Sequence, residues 1–568
     1  DEGAYSAGST DKPIEIDAQI WSFAVAGSAA PSGFARSGSL ALNWIRNDID
    51  AHITDATVTA NAGDVALLAS DEASMNVLAG SGAGSGTAAV GVGIAYNYVG
   101  GDPDNPASAN VNTIQAYIDS ATVNADAISI EAKSDADINA LVIAVSGGGT
   151  FAANGSISLN WIRKDVKAYI GGSAVITATG NIDILAMDTS DIRSLSVQLS
   201  GSGKVAIGGA VSYNEIQNKI RTWINGSATV TSTGGTITMK ALSEAAIFNV
   251  AAGVAGAGAA AIAGSASANV VNNTVETYIS AATVTADKNL YLLADSENDV
   301  TAIVGTISAG GAVGVGGAVV VNQLSNTTRA YIDADATVVA KGSSGTITIK
   351  DWTDNADGTE TTETLSGLAV VASNEDEVFV IAAAAALSGA KGIGLNVAVN
   401  RITGTTEAFI RDSKINSSGN RGKSVKVKAH SDTEITNSGG ALGIGLGGTG
   451  VGATVFVDLI DRTTRAFISD DADLDEIFSG ESVEVSAFSR EEFDTFEVGI
   501  GIGGTAGLAG AAAAIKTDST TEAYIKNANV DATNGIDVDA NSRVDLDMTV
   551  GAVAGGGVGA GASIAVAL

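Results

Sequence analysis

The chain contains no cysteine, only four prolines and few aromatic residues, which make up 5% of its 568 positions. The absence of cysteine excludes disulfide bonds, thiolate catalysis and cysteine metal sites. Seventy glycines, and an apolar fraction that is mostly Ala and Val, leave too few large side chains to fill several ordinary globular cores. The composition therefore predicts a thin core made of small side chains.

Basic residues are also scarce, because 63 acidic residues face 30 basic ones and the net charge is −33. This balance disfavours nucleic acid and anionic membrane surfaces as partners. Gly/Ala/Val stretches such as residues 250–271 contain too little Leu, Ile and Phe to favour membrane insertion, so no membrane span is expected. The first residues lack a basic segment and an apolar segment, so we expect a secreted chain whose signal peptide has been removed.

The chain repeats itself, since residues 38–71 are a near-copy of residues 155–190. A motif like Ala-Tyr-Ile recurs along the whole sequence and indicates about ten units of roughly 54 residues. The central residues of this motif are Tyr5, His52, Tyr117, Tyr169, Trp223, Tyr278, Tyr331, Phe409, Phe467 and Tyr524.

Each unit also contains an Ile-x-Ile-x-Ala segment, whose alternation with period two is typical of a half-buried strand. Units that cannot bury an apolar face alone must stack on their neighbours. The sequence therefore predicts an all-β repeat β-solenoid, similar to a parallel β-helix, as one continuous array over residues 1–568. A path of 54 residues is long for one layer, so two layers per unit are favoured.

Stacking places equivalent residues above one another, so recurring identical residues predict ladders along the axis. The aromatic residues form one predicted ladder. An asparagine that closes each unit forms the other, and its members are Asn43, Asn97, Asn160, Asn214, Asn269, Asn322 and Asn400.

Two inserts interrupt the repeat, at residues 100–108 and 351–367, and we expect both to project from the rod. The second contains the oxygen-bearing residues Asp351, Asp354, Asn355 and Asp357 close together, a set that makes calcium the one candidate cofactor. The match to an EF-hand loop fails at Thr353 and Thr364, where acidic residues are required.

No catalytic residue is predicted, and we expect the protein not to be an enzyme. His52 takes the aromatic position of its unit, and His430 takes a position that varies between units. The carboxylate-rich segments 374–377 and 470–476 are the best candidates for the acid/base pair of a polysaccharide-cleaving enzyme, which is the least favoured function.

The repeated Ala-Tyr-Ile, Ala-Thr-Val and Ile-x-Ile-x-Ala blocks with Gly/Ala stretches resemble the repeats of very large secreted prokaryotic β-solenoid surface proteins, of the filamentous-haemagglutinin and giant-adhesin type. The resemblance implies a rod on the cell surface, serving as structural material or for adhesion. We therefore expect an extracellular structural protein of a fibre, sheath or adhesin stalk. The alternative is an adhesin or glycan-binding module that acts through its inserts.

Expected partners are copies of the chain itself, head to tail or side by side, and surface glycans or host proteins. The head-to-tail expectation comes from residues 561–568, which match the start of the repeat at residues 155–162, and from the aromatic landmark near Tyr5. A second copy placed on the first would continue the solenoid and cover its end strands.

Overall fold

The computed structural model describes residues 16–101, 111–352, 360–470 and 476–568, and this part of the chain is built from β-strands and turns without any helix. In chain order the first strands are β1 (Ile16–Ala30), β2 (Phe34–Ile45), β3 (Ile49–Thr54), β4 (Thr57–Thr59), β5 (Val65–Ser85), β6 (Ala88–Val99), β7 (Asn112–Asp119), β8 (Thr122–Ala125), β9 (Ile128–Gly148), β10 (Phe151–Gly171), β11 (Val175–Ala178), β12 (Ile182–Ser202), β13 (Val205–Asn225), β14 (Thr229–Ser232), β15 (Ile237–Ala257), β16 (Ala260–Val271) and β17 (Thr274–Ser280). The remaining strands are β18 (Thr283–Ala286), β19 (Leu290–Gly310), β20 (Val313–Asp333), β21 (Thr337–Ala340), β22 (Ile347–Asp351), β23 (Thr361–Leu365), β24 (Gly367–Ser388), β25 (Lys391–Arg411), β26 (Lys414–Ile415), β27 (Ser424–Gly445), β28 (Thr449–Ser469), β29 (Glu476–Ser479), β30 (Ser482–Gly503), β31 (Ala506–Lys526), β32 (Asn529–Ala532), β33 (Gly535–Gly555) and β34 (Val558–Ala567).

Three parallel sheets run along the axis, which confirms the β-solenoid prediction. Sheet A contains ten long strands in the order β1-β5-β9-β12-β15-β19-β24-β27-β30-β33. Sheet B contains the second long strand of each layer, and in three layers this strand is divided into β2 and β3, β6 and β7, or β16 and β17. Sheet C contains nine short strands, from β4 to β32. Each of the first nine layers therefore visits sheets A, B and C once, in that order, and the tenth contains β33 of sheet A and β34 of sheet B.

Each repeat unit forms one layer, so the expectation of two layers per unit was wrong. Equivalent residues of consecutive units are direct neighbours, as Asn160 is of Asn214 and Tyr169 is of Trp223. The long path is used within the layer, because strands such as β9 and β10 are 21 residues each. At about 4.8 Å per layer, ten layers rise about 48 Å.

The tight turn between sheets A and B requires glycine because of the layer beneath it. A Cβ atom on Gly149 would lie 2.0 Å from the carbonyl oxygen of Gly86, and one on Gly203 would lie 2.2 Å from that of Gly149. Gly258, Gly311 and Gly389 repeat this contact with the preceding glycine at 1.9–2.3 Å. Layers can follow one another closely at this turn only if the side chain is absent.

A buried polar row divides the interior into two apolar columns along the axis. The column next to sheet C contains Ile130, Ile176 and Ile224 among its buried members. The column nearer the tight turn contains Met75, Ile192 and Phe456 among its buried members. There the two long sheets lie so close together that a Cβ atom on Gly501 would come within 1.8 Å of the Leu508 carbonyl oxygen. The half of each layer next to the tight turn, here called the thin half, therefore accommodates small residues.

Candidate interaction surface

The aromatic residues form a continuous stack on the outer face of sheet B. It begins at His52, whose ring lies 5.1 Å from that of Tyr117, and the successive centroid distances to Tyr524 are 4.2–5.9 Å with interplanar angles of 12° or less. Tyr5 lies outside the described residues. Burial, together with the neighbouring Tyr117, raises the pKa of Tyr169 to about 12. The rings are thus partly desolvated and fixed in place by one another.

The asparagines form a hydrogen-bonded ladder in the interior. Each side-chain Nδ2 donates to the Oδ1 of the next member at 2.7–2.8 Å, through Asn43, Asn97, Asn160, Asn214, Asn269, Asn322 and Asn400. Each amide is both donor and acceptor, so the ladder satisfies polar groups that would be costly to bury alone.

The asparagine ladder ends on a carboxylate, a feature that the sequence analysis missed. Asn400 Nδ2 donates to Asp458 Oδ1 at 2.7 Å, and Asn437 Nδ2 donates to Asp458 Oδ2 at 2.9 Å. Burial raises the pKa of Asp458 to about 6, against the opposing effect of these two hydrogen bonds. Glu497 is fully buried nearby, and burial followed by the charge of Asp458 raises its pKa to about 8.

Two cations lie in the buried polar row, each next to carboxylates from sheet A. Lys164 Nζ lies 3.2 Å from Asp71 Oδ2 and donates to Ser134. Arg462 is paired with Asp376, whose other oxygen accepts from Asn298 and Asn326 at 2.8 and 2.9 Å. A buried charge is costly when it lies apart from its partner, so these pairs favour a single register between layers.

The outer face of sheet A carries two adjacent columns rich in carboxylates, here called the acidic strip. Its members are Glu72, Asp135, Asp137, Asp191, Glu244, Glu297, Asp299, Glu375, Glu377, Asp432, Glu434 and Glu492. Partial burial and the charge of Asp191 raise the pKa of Asp137, and burial together with Asp299 and Glu434 raises that of Glu377. The carboxylates therefore repel one another along most of the strip, whereas Arg490, which lies in the same columns, forms ion pairs with Asp432 and Glu492.

Within each unit, strand alternation already places the carboxylates of the acidic strip on the outer face of the strand. Only an alignment of the units with one another shows that they form columns. The carboxylates point the same way and do not converge. Among the residues that the structure describes, no three His, Asp or Glu side chains are arranged to hold a metal ion.

The two strands that flank the undescribed part of the second insert fold back onto the outer face of sheet A. β22 and β23 form an antiparallel hairpin that buries Ile349 and Trp352 to 1% exposure. The Trp352 ring stacks on His430 at 4.2 Å, and Phe488 stacks on the other side of His430. These apolar side chains are removed from water by covering the sheet. Residues 353–359 between the two strands lie outside the described residues, so projection of the insert itself stays a prediction.

Within this insert Asp351 is the only predicted calcium ligand that the structure describes. Its Oδ1 accepts from Lys428 Nζ at 2.6 Å, and Lys428 also pairs with Glu363 and Glu484 at 2.6 and 3.0 Å. An ammonium group therefore occupies the position next to Asp351. Asp354, Asn355 and Asp357 lie outside the described residues, as do residues 102–110 of the first insert, so calcium binding remains a prediction.

The carboxylates of residues 374–377 do not form an acid/base pair with one another across the strand. Asp376 points inward and is paired with Arg462, whereas Glu375 and Glu377 point outward in the acidic strip. Of the other candidate segment, residues 471–475 lie outside the described residues, and the described Asp470 is buried.

Beyond the acidic strip, toward the tight turn, the outer face of sheet A becomes apolar. On β12 the successive outward residues are Leu195, Val197, Leu199 and Gly201, and Leu195 and Leu199 are 37% and 44% exposed. Sheet B shows a similar change on its own outer face, where Val211 and Val319 are each 42% exposed. On sheet A the outward charges are thus confined to one half of each layer. The thin half presents mainly apolar surface on both sheets, with Arg36 and Lys391 as charged exceptions on sheet B.

Comparison with known proteins found no matching family model, no matching curated protein and no matching solved structure. No helix capable of spanning a membrane occurs in the part of the chain that the structure describes.

Proposed function

We propose that this protein is an extracellular structural protein, a rigid solenoid rod that builds a cell-surface fibre, sheath or adhesin stalk. The observation that carries the proposal is the uninterrupted pair of ladders, one aromatic and one of asparagine, which link consecutive layers at every step from His52 to Tyr524 and from Asn43 to Asp458. Such ladders resist bending and shear between layers, because any slip breaks all the contacts of a layer together.

The last described layer leaves one edge of sheet A without a neighbour. β33 pairs with β30 on one side only, and its apolar side chains Ile536, Val538 and Leu546 are 49%, 43% and 39% exposed. Unpaired strand edges and open apolar side chains favour the addition of another layer. A second copy of the chain or a further repeat of the same polypeptide would supply it.

Two experiments test the proposal. Antibodies against the purified chain should label intact cells of the source organism, and protease treatment of those cells should remove the label. Electron microscopy of the purified chain should show unbranched rods or fibres whose length grows with concentration. Labelling that requires cell permeabilisation would refute the extracellular location, and short particles at every concentration would refute axial assembly.

An adhesin is the second candidate, because the hairpin of β22 and β23 adds an ordered, charged feature to an otherwise regular face. Lys350 there pairs with Asp295 and Glu360, each at 2.8 Å. Glycan-array binding that is lost when residues 347–365 are replaced by a short turn would favour this candidate.

A further inference from the structure

The apolar part of sheet A consists of four outward columns, each named here by its residue on β12. None of the residues of these columns is charged in the ten layers. The Leu195 column is large and contains Phe23, Leu78, Leu141, Leu195, Val250, Ile303, Ile381, Ser438, Phe496 and Thr549. The Gly201 column is small over its first six layers, with Ala29, Gly84, Gly147, Gly201, Gly256 and Ala309.

The glycines of the Gly201 column are not required by the fold of the chain itself. A Cβ atom on Gly84, Gly147, Gly201 or Gly256 would meet nothing within 4 Å, and none of the four has a left-handed backbone. Glycine weakens a strand, and an unexplained strand glycine marks a place where another molecule approaches closely. Four consecutive layers share this feature.

The two middle columns show a similar contrast of size. The Leu199 column forms a ridge, in which Leu199, Val254 and Ile307 follow one another and Ile307 is 54% exposed. Beside it the Val197 column narrows to Ala252, Gly305, Ala383 and Gly440, which form the floor of an apolar groove parallel to the axis.

The face is large enough for a stable pair. Four columns about 6.6 Å apart and ten layers about 4.8 Å apart cover roughly 1,200 Å² of flat surface. A specific interface of standard size buries about 800 Å² from each partner, and the largest apolar patch of an ordinary monomer is about 300–600 Å². A second copy of the same face would bury this area completely.

We infer that the protein pairs side by side through this face, around a two-fold axis that runs parallel to the rod between the Val197 and Leu199 columns. The Leu195 column of each copy then faces the Gly201 column of the other. The ridge of the Leu199 column faces the groove of the Val197 column. Over the first six layers the large residues of the Leu195 column thus meet small ones on both sides of the axis, as a self-complementary interface requires. In layers seven to nine the Gly201 column contains Leu387, Ile444 and Ile502, so the closest fit is confined to the first six layers.

Charge selects the parallel arrangement over the antiparallel one. With the axis parallel to the rod, the acidic strips of the two copies lie on opposite sides of the interface. An axis along the strands would place each strip against its counterpart, where like charges repel. The biological role of this pairing rests on the proposed function. The two tests are independent, because pairing in solution and cell-surface labelling can each fail alone.

The pairing is tested by the mass of the purified chain in solution, with glycine variants that alter one face at a time. Light scattering after size exclusion should give twice 56.2 kDa, or multiples of that pair. Gly201→Val fills the small column and should weaken pairing at least tenfold. Gly264→Val is the matched control, because a Cβ atom there also meets nothing within 4 Å but lies on sheet B. Should Gly201→Val misfold by circular dichroism, Leu199→Asp replaces it.

A monomeric wild-type chain at all concentrations, or equal loss of pairing in the Gly201→Val and Gly264→Val variants, would overturn the inference. A wild-type chain that stays monomeric but binds phosphatidylcholine vesicles would assign the face to lipid instead, and would also overturn it.

Orientation is tested by cross-linking, for which the cysteine-free chain is well suited. Leu199→Cys lies in the fourth layer and Ala385→Cys in the seventh, both in the Leu199 column. With a short bis-maleimide, a parallel pair should cross-link two Leu199→Cys chains to each other. Preferential cross-linking of Leu199→Cys to Ala385→Cys in a mixture would indicate antiparallel copies and refute the arrangement.

Discussion

Replacing the buried Glu497 by glutamine should change how the stability of the rod depends on pH. The carboxyl group is fully buried, and no side chain of the described residues donates a hydrogen bond to it. Its pKa is raised from 4.5 to about 8 in the folded chain. Between these two values the folded state binds the proton and the unfolded state does not, so stability rises as the pH falls from 8 toward 4.5.

The magnitude follows from the two pKa values. For a shift from 4.5 to about 8, lowering the pH from 9 to 6 should stabilise the folded state by about 3 kcal/mol through this group. Asp458, with a pKa of about 6, adds to the effect mainly below pH 6. Glutamine does not titrate, so Glu497→Gln should be more stable than the wild type at pH 9, by a margin about 3 kcal/mol larger than at pH 6.

Urea unfolding followed by circular dichroism at pH 6, 7, 8 and 9 measures this margin. Repeat arrays can unfold in segments, so hydrogen exchange of β28, β30 and β31 gives a second, local measurement. Glu72→Gln, on the exposed outer face of sheet A, is the matched control and should follow the wild type. Parallel pH dependence of Glu497→Gln and the wild type would refute the reasoning.

Four further predictions follow from the ladders and the charges. Asn214→Ala interrupts the asparagine ladder on both sides, so the urea midpoint should fall by the equivalent of about 2–4 kcal/mol, and an unchanged midpoint would contradict the role of the ladder. Tyr169→Ala loses two stacked rings and should cost about 2–3 kcal/mol in the same assay, whereas Tyr169→Phe should stay within about 0.5 kcal/mol of the wild type. Lys164→Met leaves Asp71 buried without its cation and should cost about 3–5 kcal/mol at pH 7 in the same assay; an unchanged midpoint would argue against the ion pair. Calcium should raise the unfolding temperature relative to chelator at matched ionic strength, because it screens the acidic strip and the net charge of −33; equal temperatures would exclude this.

The sequence by itself determined the parallel stacking and the positions that form ladders. Asparagines and aromatic residues that recur at a fixed period can all form hydrogen bonds or stack only if equivalent strands lie above one another. Asn160 therefore had to contact Asn214, and Tyr169 had to contact Trp223. Period-two alternation identified the strands, and the scarcity of large side chains indicated a thin core. These features are local or periodic, and a single chain displays them directly.

Only the tertiary structure decided what meets across a layer. The distance along the chain from Lys164 to Asp71, or from Lys428 to Asp351, carries no signal of contact, because it depends on how sheets A and B face each other. The number of layers per unit, the return of β22 and β23 onto sheet A and the end of the asparagine ladder at Asp458 depend on the same closure. Side chains from different units become one surface only when the layers are stacked, and for this reason the acidic strip and the apolar face emerge from the fold rather than from any one repeat.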